Sequence, residues 1–107
     1  MNKYTELSDF EINKKVAENL KLNTIAYERT EIVLFDDMDA TPFDPCNNPT
    51  DAMPIIIDNR ISLRNRYKGI WKAETEWGVT FISTSDNPLR AAMEVFLMIK
   101  DAENEKV

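Results

Sequence analysis

The sequence predicts an α+β domain: a small, mainly antiparallel sheet with a C-terminal hairpin, packed by an N-terminal helix, a long C-terminal helix and a short middle helix. Three observations carry this. Capped helical patterns open and close the chain. Between them, apolar and polar residues alternate in short runs broken by turn residues, as in strands joined by hairpins. The 107 residues, 43% apolar and 30% charged, suffice for one hydrophobic core, so 1–107 reads as a single domain.

The first helix starts on a capping box. The Ser8 hydroxyl takes a first-turn amide and the Glu11 carboxylate reaches back to the Ser8 amide. Leu7 before the cap and Ile12 in the first turns make a hydrophobic staple. Ile12, Val16 and Leu20 then share a face, which predicts a helix over about 9–21. Residues 24–35 are rich in β-branched and aromatic side chains, and Ile32-Val33-Leu34-Phe35 suits a strand buried on both faces. An irregular stretch, 36–49, follows, with three prolines and several Asp and Asn residues. Connections of this length are often functional.

Thr50 or Asp51 caps a short second helix over 51–59, with Pro54 in its first turn. Ile61 and Leu63 mark a short edge strand. Trp71, Ala73 and Thr75 point one way along a second strand, and Val79, Phe81 and Ser83 along its return. Glu76-Trp77-Gly78 between them reads as the hairpin turn. Asn87 caps the last helix and Pro88 opens it. Leu89, Ala92, Met93, Phe96 and Ile99 form one face; Ala91, Val95, Met98 and Ala102 form a second; Leu97 falls on the polar side. The tail, 101–107, is expected to fray. The expected order is α-β-α-β-β-β-α.

Composition excludes several kinds of chemistry. Without histidine there is no Ser-His or Cys-His nucleophile pair and no imidazole metal ligand. Two glycines cannot build a phosphate-cradling loop, and the lone Cys46 makes neither an internal disulfide nor a cysteine zinc site. No cofactor and no metal is expected. The start of the chain lacks an apolar run and no window matches a membrane span, so the expected setting is the cytoplasm, away from membranes. Thirteen basic against nineteen acidic residues give a formal charge of -6. That balance argues against nucleic-acid binding by the whole surface, though not by a local patch.

Five candidate features remain. Asp37 and Asp39 follow a strand as D-x-D-x-T, resembling the strand end of haloacid-dehalogenase-type phosphotransferases, where the carboxylates attack phosphorus and hold magnesium. That fold needs a larger parallel α/β domain, and acidic residues also gather where a strand enters a turn. Charge is segregated, too. Residues 30–59 hold seven acidic groups and no basic one, which admits an acidic, DNA-mimicking inhibitor. Residues 59–73 hold Arg60, Arg64, Arg66, Lys68 and Lys72 and no acidic group, a possible nucleic-acid patch with Tyr67 and Trp71 interleaved. Alternation turns Trp71 inward, which counts against stacking by that residue. Cys46 among acidic and proline neighbours reads as inert. The stripe Val95, Met98 and Ala102 either completes the core or pairs with a second copy as a homodimer.

Three groups of residues carry a resemblance: Tyr4-Thr5-Glu6-Leu7-Ser8-Asp9-Phe10-Glu11-Ile12-Asn13; Phe43-Asp44-Pro45-Cys46-Asn47-Asn48 with Pro54-Ile55-Ile56 and Ile61-Ser62-Leu63; and Asn87-Pro88-Leu89-Arg90-Ala91-Ala92. On these strings the chain resembles the NinX-like family of small proteins of lambdoid phages and prophages, over roughly 4–99. It departs at Pro49 and Met53, where that family often has Trp and Gly. The family is of unknown function. The resemblance implies a phage accessory protein in the bacterial cytoplasm and transfers no catalytic residue. Absent a catalytic constellation, the expected role is a non-enzymatic module binding a host or phage protein. Its expected contacts are Asp37, Asp39, Phe43 and Asp44 of the long loop, and Trp77 of the hairpin.

Overall fold

The two sequence caps start helices where they should. The computed structural model describes residues 2–105. Its order is α1 (Asp9–Asn19), β1 (Thr24–Tyr27), β2 (Ile32–Phe35), α2 (Pro49–Asp58), β3 (Ile61–Tyr67), β4 (Ile70–Thr75), β5 (Ile82–Ser85) and α3 (Pro88–Glu105). The strands make two antiparallel sheets, β1-β2 and β3-β4-β5, so the α+β class holds with the sheet divided in two.

Both halves of the Ser8–Glu11 capping box form: the Glu11 amide donates to Ser8 Oγ at 3.1 Å, and the Ser8 amide donates to Glu11 Oε1 at 3.1 Å. The other end of α1 closes with Lys21 in the left-handed region (φ 57). The Leu22 amide donates to Ala17 O and the Lys21 amide to Glu18 O, a Schellman closure made without glycine.

Five details of the sequence reading need correction. First, Ile32–Phe35 is not buried on both faces. It pairs with β1, a strand absent from the expected order, and only Val33 is buried while Ile25, Tyr27 and Ile32 stay exposed. A continuous apolar run looks the same whether one face or two are covered. Second, Asn48 caps α2, so Pro49 holds its first position and Pro54 lies inside the helix. Third, β3 is longer than a short edge strand. It turns into β4 through Lys68 (φ 51) and Gly69 (φ 80), the backbone of a two-residue primed turn. Fourth, the return strand begins at Ile82, because residues 76–81 form the connection. Fifth, residues 101–105 continue α3, while 106–107 lie outside the described residues. Asp101 anchors this end by accepting from the Tyr4 hydroxyl and pairing with Lys3 Nζ at 3.2 Å.

Helix α3 is the axis of the core. It packs on α1, α2 and all three strands of the larger sheet, and Ala91–Leu97 is buried throughout. Leu97 therefore sits in the core and not on a polar side, since neighbours cover α3 from several directions. Phe10, Ile12 and Val16 of α1, Ile55 and Ile56 of α2, and Ala73 of β4 meet it there.

Candidate functional site

A polar seam runs between the N-terminal arm, α1, the proline-rich loop and α3. At its centre lies Glu94, 3% exposed. It accepts from Arg90 Nε at 2.6 Å, Ser83 Oγ at 2.6 Å and Asn2 Nδ2 at 2.6 Å. Arg90 also donates to Asp9 Oδ1 at 2.7 Å, Tyr4 O at 2.8 Å and Leu7 O at 2.7 Å. Burial disfavours its charge, but its hydrogen bonds to Asp9 and Glu94 outweigh that and hold the guanidinium above its ordinary range.

The loop joins the same seam. Asn13 Nδ2 donates to Asp44 Oδ1 at 2.7 Å, and the Cys46 amide donates to Asn13 Oδ1 at 3.1 Å. Asn87 Nδ2 donates to Cys46 O at 2.6 Å while its Oδ1 accepts the Leu89 amide, so one side chain caps α3 and pins the loop. Among the described residues, no buried side-chain nitrogen or oxygen lacks a partner. The seam's groups are fully used in holding segments together. Neither Arg90 nor Glu94 stands among the site residues expected from the sequence. The signal was there: an i,i+4 pair of opposite charge on a helix otherwise apolar nearly all round.

The seam changes the standing of the loop residues. Phe43 is 4% exposed and stacks edge-on to Phe35, 5.6 Å between centroids, so it serves the core and is closed to a partner. Asp44 is bound by Asn13 and Asn47, and its amide donates to Asp51 Oδ2 at 2.9 Å. Asp37 accepts from the amides of Asp39 (3.1 Å) and Ala40 (2.8 Å), forming an Asx turn that lets Ala40 take φ 47. Asp39 is exposed. Among the described residues, no three His, Cys, Asp or Glu side chains converge on a metal position. Asp37 thus builds the turn, and Asp39 stands solvated beside it. Within the acidic stretch, Asp44 and Asp51 bond amides of their own chain, while Glu31, Asp36, Asp37, Asp39 and Asp58 are exposed.

Cys46 is fully buried, and burial, with Asp9 next, pushes its thiol well above the usual range. The stripe expected to pair two copies is split. Val95 is completely buried within the monomer, while Met98 and Ala102 are half-covered. Val95 is therefore unavailable to a partner helix.

Two open surfaces flank β4. At one end, Trp77 is 78% and Val79 69% exposed. They wall a groove of about 420 Å³ floored by Ile99 and Ala102 of α3, with Arg60 and Glu103 at its rims. Its base is braced: Thr75 Oγ1 donates to Val79 O at 3.1 Å and accepts the Phe81 amide at 3.0 Å. At the other end, Arg64, Arg66 and Lys68 stand exposed. Arg64 is 3.7 Å from both Glu74 and Glu76, and Lys72 is 3.4 Å from Glu74, so the basic stretch meets acids of its own sheet and not the acidic loop. Trp71 is half-buried on the same side as Ala73 and Thr75.

Among the described residues, no helix is long and apolar enough to cross a membrane. A family model described as Bacteriophage P22, NinX matches residues 3–100. No curated protein and no solved structure matches the chain.

Proposed function

The chain belongs to the family of the bacteriophage P22 protein NinX, and on that premise we propose that it is a non-enzymatic phage accessory protein that docks a host or phage protein at the Trp77 groove in the bacterial cytoplasm. The observation that carries this reading is a large aromatic side chain held in solvent on a braced connection beside an apolar groove. A bare indole is a common anchor of protein interfaces, and a braced loop lowers the ordering cost of binding. The floor is apolar and Arg60 lies exposed at the rim, with no ion pair among the described residues. The occupant is a short amphipathic segment of another protein, with an apolar anchor on Ile99 and Ala102 and a carboxylate facing Arg60.

Site-specific photo-crosslinking tests this. With Trp77→p-benzoylphenylalanine, lysate of phage-infected cells should yield one discrete adduct, which Arg60→Glu weakens. The same probe at Lys15, on the outer side of α1, should yield none. Identical adduct patterns from both positions, or no adduct from either, count against the groove.

A further inference from the structure

The opposite end of β4 carries a different surface. Strand β5 stops at Ser85, which pairs with Trp71, so residues 66–70 run past the third strand as a two-stranded overhang. Arg66 and Lys68 are exposed there and have no ion-pair partner among the described residues; Tyr67 is 67% exposed. The register shifts between Asn65 and Tyr67. Asn65 faces Trp71, but Tyr67 faces Ile70, whose direction is that of Lys72 and Glu74. The irregularity at Arg66 thus turns Tyr67 onto the open face of the sheet, beside Arg64.

The turn adds a second, independent observation. Lys68 adopts φ 51 in a position where asparagine or glycine is favoured, and Lys21 and Arg60 show the chain tolerating the same strain at helix ends. At those ends the left-handed residue closes hydrogen bonds; at Lys68 it places an ammonium group at the tip of the overhang. The chain as a whole is acidic, yet this tip is basic.

We propose that the overhanging β3–β4 ribbon binds single-stranded nucleic acid, with Arg64, Arg66 and Lys68 on successive phosphates and Tyr67 stacked on an unpaired base. An exposed aromatic ring among cations fits a base between phosphates; an acidic peptide would use the cations and leave the ring idle. Arg64 joins readily, because its links to Glu74 and Glu76 are long and its side chain is largely exposed. The ribbon acts independently of the Trp77 groove.

Fluorescence anisotropy with a labelled oligothymidylate, a duplex of the same length and a polyglutamate peptide tests this on the full chain. Three neutralised phosphates on a single strand give a slope of log K against log salt of about -2, so affinity should drop roughly 15–20-fold between about 50 and 200 mM salt. Arg66→Glu with Lys68→Glu should remove binding. Tyr67→Ala should weaken it roughly tenfold. The charge-matched pair Lys15→Glu with Lys21→Glu should retain it within about threefold, as should Trp77→Ala, since only the ribbon makes the phosphate contacts. Lys68→Asn suits the turn and keeps the fold, and should still weaken binding severalfold. The proposal is overturned by any of four results: no saturable binding of the oligothymidylate, equal loss in the two charge-reversed pairs, tighter binding of polyglutamate, or equal duplex affinity with no effect of Tyr67→Ala.

Discussion

The seam around Arg90 and the rim of the larger sheet are built from the same kinds of residue and do opposite things. In the seam, Glu94, Arg90, Asp9, Asn13 and Asp44 each bond a group on another segment. At the rim, Arg66, Lys68 and Trp77 face water on strands and turns whose own backbone is already paired. A charged residue therefore says little about function until its partners are known. Satisfied inside, it sets how segments meet; unsatisfied outside, it is free to meet another molecule.

Breaking the seam should cost far more than stripping the rim. Arg90→Met leaves Glu94 buried without its counter-ion and should cost about 3–5 kcal/mol of unfolding free energy in urea. Adding Glu94→Leu should restore a good part of that loss; no recovery would mean that the packing of α3, and not the ion pair, is what failed. Asn13→Ala strands the Cys46 amide and removes one of the bonds to Asp44, and should cost about 1–3 kcal/mol, with faster hydrogen exchange at that amide.

Buried Cys46 sharpens the contrast through pH. Its thiol pKa is raised in the folded state, so the native chain holds the proton more tightly than the unfolded one. The associated stability is complete below the unfolded thiol pKa of about 8.5 and declines as pH rises beyond it, by at most about 1.4 kcal/mol per pH unit. Thermal melts of Cys46→Ala should show a flatter alkaline limb, and a disulfide reagent should label the native wild type only through opening.

Ser8→Ala should cost about 1 kcal/mol, seen as a lower melting temperature. The Glu11 carboxyl, held below its ordinary range by bonds from the Ser8 amide and hydroxyl, contributes above the usual glutamate range and loses that contribution as pH falls. At the rim, Trp77→Ala and Arg66→Glu should each change stability by less than about 0.5 kcal/mol. A larger loss at Trp77 would move it from the docking surface into the structural seam.

Local chemistry made much of this legible. The Ser8 and Asn87 caps and the Pro88 start are encoded within four residues of where they act, and all three form; Gly78 takes a positive φ, but within a longer connection, 76–81, than the tight turn expected. What escaped the sequence depends on distant neighbours. The apolar run Ile32–Phe35 gives no sign of which face is covered, and Phe43 reads as a contact residue although it is buried against Phe35 of β2. The Lys68–Gly69 turn was hidden because lysine is not a residue that usually announces positive φ. For the site, Trp77 was visible as a turn aromatic, but its groove comes from α2, β4 and α3 together.

Strand β4 joins the two open ends as a stiff ruler. Its six residues span about 20 Å, and pairing on both sides keeps that span constant. A protein seated at one end and a polynucleotide laid across the other would be carried at a fixed offset, side by side and out of mutual reach.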